Sequence, residues 1–302
     1  EPHALNPPDG VIIYYTLASK PSADITLDVV DSSGVVVRHM SSAPIAPVAE
    51  AARPPHPNFW VATPQPLPTN VGLNRTSWDV RYDAPPAFTH SFQINANPGL
   101  TPASPEGGLA PPGVYAVKLT VNGMSYTQTA TVTNDPRSPA TTADIRAQHA
   151  LVKKIQDGMR TAWNGYQQVA AMRVVPNSAM PPDSISAVAS AIKTILARLD
   201  TVGGNPGGGR GGGRGGGGRT PSPSFVAVHG RLVSQLTTQE NGDMAPTAAM
   251  LQGFAVTCRD LTTALTSWRG MNAKDLPVLN AALTKSGAKG VSTGTALPTP
   301  KC

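Results

Sequence analysis

The sequence predicts β + α in separate domains. An N-terminal antiparallel β-sandwich over residues 1–136 precedes a C-terminal four-helix antiparallel bundle over residues 137–290, and residues 291–302 read as a flexible tail. Three observations lead there. Apolar residues recur with a period of two before Asp135-Pro136 and with three-four spacing from Thr142 onward. The charge balance changes at the same place: residues 1–136 carry 6 Lys/Arg against 10 Asp/Glu, and residues 137–302 carry 18 against 8. Glycine (29) and proline (31) are in excess for 302 residues and collect between the periodic segments, where loops belong. With 40% hydrophobic and 14% charged residues, the chain has enough apolar surface to fold throughout most of its length.

The strands come first. Val11–Leu17 is a β-branched and aromatic run; Ile25, Leu27 and Val29 alternate with Thr26 and Asp28, which lays one face on a core. Asp31-Ser32-Ser33-Gly34 is turn chemistry, and Val35–Val37 returns as the second arm of a hairpin. Residues 41–72 hold six prolines between Pro54 and Pro68, which lack the amide proton a ladder needs, so they form a surface excursion. A strand resumes over 73–82, with Trp78, Val80 and Tyr82 on one face as core residues. A second proline-rich loop follows. Residues 114–121 and 125–132 are joined by Asn122-Gly123, the dipeptide that best tolerates the two positive φ angles of a tight hairpin turn. Short strands with turn punctuation argue for a sandwich of immunoglobulin or fibronectin type III kind.

From Thr142 the stripe Ile145, Val152, Ile155, Met159, Ala162, Tyr166, Val169 is helical. This first helix looks longer than its neighbours, so part of it is expected on the sandwich. A second helix, capped by Asp183, carries Ile185, Val188, Ile192, Ile195, Leu199 and Val202. A third starts near Ser224 with Val228, Leu232 and Leu236. A fourth follows Pro246, read as a first-turn proline, with Leu251, Phe254, Cys258, Leu261, Leu265 and Trp268 on its seam. Residues 275–283 form a short extra turn or helix, and residues 287–302 are expected to fray. Between helices two and three, residues 203–219 include 12 glycines and three arginines. They read as a plain linker: only two Arg-Gly-Gly triplets occur, with no Phe or Tyr to stack on bases, so nucleic acid is not the expected partner.

No uninterrupted apolar run reaches the roughly 20 residues that span a bilayer, so no transmembrane segment is expected. No secretory signal opens at Glu1-Pro2-His3, so an exported protein would be represented here in mature or truncated form. Chemistry is sparse. The histidines, His3, His39, His56, His90, His149 and His229, show no metal-ligand spacing, and no cofactor is expected. There is no GxSxG elbow. Asp24, Asp28, Asp31, Asp79 and Asp83 sit on strands and turns as solvated acids, so no catalytic residue is assigned. Asn74-Arg75-Thr76 fits a glycosylation sequon. Trp60, in Asn58-Phe59-Trp60-Val61, is the one candidate for stacking on a sugar ring, or else a cap on the sandwich. Trp78, Tyr82, Cys258 and Trp268 read as structural; Cys258 is expected to be buried and reduced, and Cys302 to sit on a mobile tail with its redox state open. The basic half reads as solvated helix faces and a basic linker.

Three segments carry a resemblance: Asn6-Pro7-Pro8-Asp9-Gly10; the run from Gly72 through Asn74-Arg75-Thr76-Ser77-Trp78 to Tyr82; and Pro112-Gly113-Val114-Tyr115 onward to Val121 with Ser125-Tyr126-Thr127-Gln128. Together with Asp135-Pro136-Arg137, Ala245-Pro246-Thr247 and Asp275-Leu276-Pro277, they resemble the C-terminal region of bacterial secreted sortilin-like or glycosyl-hydrolase-like proteins with a BNR-repeat β-propeller. No Ser-x-Asp-x-Gly-x-x-Trp repeat of such a propeller occurs in these 302 residues. The resemblance implies an extracytoplasmic, non-catalytic accessory or assembly module, not itself an enzyme, that packs against a β-propeller or another protein chain. The alternative is a carbohydrate-binding module whose partner is a polysaccharide. Any hydrolase activity would belong to the propeller.

Overall fold

Ile25, Leu27 and Val29 are fully buried, as their alternation requires; Leu27 and Val29 fix the buried face of their strand, and Ile25 immediately precedes it. The computed structural model describes residues 10–45, 57–92, 98–178, 187–206, 222–239, 242–285, 287 and 289–302. The described chain holds two antiparallel sheets in its N-terminal half and helices in its C-terminal half. It divides into two units: residues 1–85, 90–150 and 240–245 form a sheet unit, and residues 86–89, 151–239 and 246–302 form a helical unit. The charge and periodicity break at 136 therefore does not coincide with a unit boundary; residues 137–150, the start of the first helix among them, belong to the sheet unit.

In the sheet unit, β1 (Val11–Leu17) pairs with β4 (Gly72–Trp78). The second sheet runs β3 (Val36–Ser41), β2 (Thr26–Val30), β5 (Gly113–Val121), β6 (Met124–Val132). Asp31 builds the β2–β3 turn: its Oδ1 accepts from the amides of Ser33 and Val35 at 2.8 and 3.0 Å. Asn122 and Gly123 both have positive φ, 48° and 81°, so the β5–β6 turn is the one their sequence demands. Tyr15, Leu17, Leu27, Val29, Val37, Trp78, Tyr115 and Val117, drawn from both sheets, bury one common core. The strand expected over 73–82 stops at Trp78. Val80 has φ 59°, which ends the alternation, although Val80 and Tyr82 still pack on the core half-buried.

The helical unit takes α1 (Thr142–Ser178) from Leu151 onward, α2 (Ala187–Gly203), α3 (Phe225–Gln239), α4 (Ala248–Gly270) and α5 (Leu276–Lys285). Thr141 and Asp144 cap α1 reciprocally: the Asp144 amide donates to Thr141 Oγ1, and Asp144 Oδ2 accepts from the Thr141 amide and hydroxyl. These hydrogen bonds hold the Asp144 carboxyl below its ordinary value. Thr247 caps α4 by accepting from the Met250 amide, so Pro246 lies just before the cap rather than in the first turn. The helix expected at 275–283 is not separate: α4 runs into α5 through a π-helical turn, Met271–Asp275. Pro277 supplies the reason, because it has no amide for the carbonyl four residues back and its ring needs room there. Ile155, Met159, Ala162, Val169, Ile192, Leu199, Phe225, Val228, Leu232, Leu261, Leu265 and Leu279 make the buried seam. Gly165 lets Phe225 close on α1: a Cβ there would stand 2.5 Å from the ring. Asp183, Ile185 and the glycine-arginine linker from residue 207 lie outside the described residues.

The C-terminal segment differs most from expectation. Rather than fraying, it is held on the helices as an extended strap. Val291 is 9% exposed, and its backbone both donates to and accepts from the Asn280 side-chain amide, at 2.7 and 3.0 Å. Gln168 Nε2 donates to the Thr295 carbonyl, and Arg269 to the Leu297 carbonyl, both at 3.0 Å. Cys302 ends the strap in a disulfide with Cys258. Cys258 is buried on the α4 seam, but the expectation that it is reduced is overturned. A link across a sequence separation of 44 removes about 4 kcal/mol of chain entropy from the unfolded state.

Candidate functional site

The register of the hairpin decides what the sheet unit exposes. On β5, Tyr115, Val117, Leu119 and Val121 point to the core, and directly opposite them on β6 stand Ala130, Gln128, Tyr126 and Met124. Those four β6 residues therefore face the core side of the sheet. Yet Met124 is 61% and Tyr126 56% exposed. The cause is strand count: the β3–β2–β5–β6 sheet has four strands and the sheet facing it only two, so nothing among the described residues roofs β6. A cleft of about 650 Å³ results, floored by Ile13, Leu119, Val121 and Ala130 and opening along β1 and β6. Among the described residues, none that lines it is charged.

The acids that a hydrolase would need are placed elsewhere, each with a partner. Arg38 stands between Asp79 and Asp83, at 3.5 and 3.8 Å. Asp28 meets His39 Nδ1 at 2.6 Å, Asp31 is spent on its turn, and Asp24 accepts from the Ser42 hydroxyl. Among the described residues no three His, Cys, Asp or Glu side chains are grouped so as to hold a metal ion. Burial pushes the phenols of Tyr15 and Tyr115 up to about 12. Both donate to backbone carbonyls, Tyr15 to Pro68 at 2.6 Å and Tyr115 to Pro111 at 2.5 Å, which is packing chemistry rather than acid-base chemistry.

Of the residues singled out by sequence, Trp78 is fully buried, with Nε1 donating to the Arg81 carbonyl at 2.9 Å. Tyr82 is raised above the ordinary phenol range by burial and then by the Asp31 charge, and it lies ring to ring with His149 at 5.1 Å. Trp268 is buried, its indole N–H donating to Gln168 Oε1. Trp60 is half-buried at the end of a single 3-10 turn, Asn58–Trp60, tied down by a hydrogen bond from the Thr101 amide to its carbonyl. Its ring meets exposed Phe59 edge-to-face at 79°, so the pair offers one ring at a time rather than a flat platform. Asn74 is 3% exposed and its amide is engaged with the backbone of Asn70 and Gly72, which leaves the sequon no room for a sugar in the folded chain.

Sequence reasoning missed two sites. The cleft needs cross-strand register, which no local pattern carries. In the helical unit, Phe88 packs on Trp163, Tyr166 and His229, with ring centres 4.7 to 4.9 Å apart. His229 Nε2–H donates to the Pro86 carbonyl at 2.8 Å. Burial holds that imidazole below its ordinary value, against the opposing effect of the hydrogen bond. Among the described residues no helix is long and apolar enough to cross a membrane. Compared with family models, curated proteins and solved structures, the chain matches none of them.

Proposed function

We propose that the chain is a non-catalytic, extracytoplasmic accessory module: an immunoglobulin-like or fibronectin type III-like sandwich with a helical bundle, which docks to a β-propeller or another protein chain. The observation that carries this reading is the uncharged core-side face of β6, which none of the described residues covers along the cleft. A soluble domain seldom leaves such a face bare without a partner for it. The strand order β3–β2–β5–β6 supports the sandwich type, as does Tyr115, whose hydroxyl bonds back to the chain just upstream of its strand in the manner of a tyrosine corner. The Cys258–Cys302 disulfide supports an oxidising compartment. The resemblance to the C-terminal region of BNR-repeat proteins supports the propeller as partner.

Sedimentation of the purified chain with a BNR-repeat propeller tests it. A complex weakened at least tenfold by Met124→Glu is expected; no complex, or one indifferent to that substitution, overturns the reading. Chromogenic sialosides, glucosides and short esters should remain intact in the same preparations. Turnover that survives repurification and is lost in Asp79→Ala would make the chain an enzyme. A second reading, binding to polysaccharide, is favoured by the exposed Phe59 beside Trp60. Retention on an insoluble glycan that disappears in Trp60→Ala would support it.

A further inference from the structure

The two sheets of the first unit have four edges, and these are not alike. β3 carries Arg38 and His39 and follows an irregularity at Val29/Val30 in its pairing with β2; β4 carries Arg75. Charges and bulges of this sort are how natural sheets discourage further strands from adding. β1 and β6 carry no charge, no proline and no register shift over their whole lengths. These two unguarded edges are the ones that line the cleft. β1 pairs with β4 alone among the described residues, so its other edge presents a row of backbone donors and acceptors beside the cleft.

We propose that the cleft takes an extended, uncharged strand of another polypeptide, which adds to the outer edge of β1 as the third strand of its sheet and lays alternate apolar side chains on Ala130, Tyr126 and Met124 of β6. The inference rests on the docking function proposed above and names the chemistry of the partner. Main-chain hydrogen bonds to β1 supply affinity, and the apolar floor selects the side chains. Along a strand the length of β1, every second residue, about three or four in all, would face that floor. The neutral lining dictates a neutral centre for the occupant, because a charge buried there would have no counter-ion. The excess of acids in residues 1–136 dictates basic rather than acidic flanks.

The probe is a synthetic peptide of alternating threonine and valine, as long as β1 and flanked by lysines. Hydrogen exchange on the full chain should show β1 amides slowed about tenfold on adding the peptide, with β3 unchanged. The same peptide N-methylated on every residue should not protect β1, because neither of its edges then has an N–H to donate, and Tyr126→Lys should abolish binding while leaving the melting temperature of the protein unchanged. Equal binding of the N-methylated peptide would overturn the proposal in favour of a simple apolar surface. Protection of β1 that rises with protein concentration alone would overturn it in favour of a second copy. Protection present without peptide and lost on deleting residues 1–9 would overturn it in favour of the chain's own leading segment. A propeller complex that forms while the peptide fails to bind would leave the docking function standing and remove only the strand.

Discussion

The helical unit and the sheet unit finish their cores by opposite means. In the helical unit a segment with no regular structure packs on the core: Val291 is 9% exposed and Leu297 packs on the seam. That is possible because a helix surface offers side chains, and Asn280, Gln168 and Arg269 supply the donors and acceptors that the strap backbone needs. In the sheet unit Met124 and Tyr126 stay bare although they face the core side. Among the described residues the edge of β1 beside them is unpaired, and the backbone groups it offers in strand register are those that the strand proposed above would take up. The helical core is thus completed by an irregular segment whose backbone is paired by side chains, whereas the completion proposed for the open sheet needs a strand in register.

The contrast is sharpened by substitutions, taken from the largest expected effect. Cys302→Ser should cost the helical unit about 4 kcal/mol, the chain entropy the link removes. Site-resolved hydrogen exchange should show the loss in α4 and the strap and not in β2 or β5. A uniform loss across both units would break the comparison. Gly165→Ala should cost about 1–3 kcal/mol in chemical denaturation, because the new methyl meets the Phe225 ring. Gly230→Ala is its control: nothing lies within 4 Å of a Cβ there, and the same exchange inside α3 should stabilise by about 1 kcal/mol.

Acid should act on the helical unit through His229. Its folded value is held below the ordinary one, so the unfolded chain takes up the proton first as pH falls. The stability tied to His229 is full above about 6.5 and is lost as pH drops from there toward the depressed folded value. Melting curves between pH 8 and 5 should show this decline, and His229→Gln should flatten it. The smallest effect is expected in the sheet unit: Tyr126→Lys should change its stability by no more than about 0.5 kcal/mol, since the side chain is already half in water. A cost of several kcal/mol would mean that β6 is covered after all.

What the sequence disclosed follows the range of each signal. The Asn122-Gly123 turn, the alternation through Leu27 and Val29, and the stripe from Ile155 to Val169 are local patterns, and the structure has them where the periods put them. The pairing of Val11 with Trp78 is not local, because 67 residues separate partners that share no mutual sequence mark. The cleft depends on that pairing and on the strand count of two sheets, so it was invisible. The strap reads as a frayed end because its Ser, Thr, Gly and Pro residues have that composition; of its partners, Gln168 lies 127 residues back, and Asn280, though only 11 residues from Val291, carries no local mark of the contact. Cys258 lies buried in the helical core, but no spacing rule connects it to Cys302.

The distribution of the chain between the units bears on how the protein can be taken apart. A cut at residue 136, where composition and charge change, would leave the N-terminal piece without His149, the ring against Tyr82. It would also leave the C-terminal piece without Phe88 and the Pro86 carbonyl, so that Trp163, Tyr166 and His229 would face an empty slot. Each unit borrows short stretches from the far side of the other in sequence, residues 86–89 in one direction and 240–245 in the other. No single break in the polypeptide separates them cleanly. Gene fusion or exchange by one crossover would therefore transmit the pair as an indivisible cassette, and a protease that nicks at one point should leave two fragments still associated until the chain is denatured.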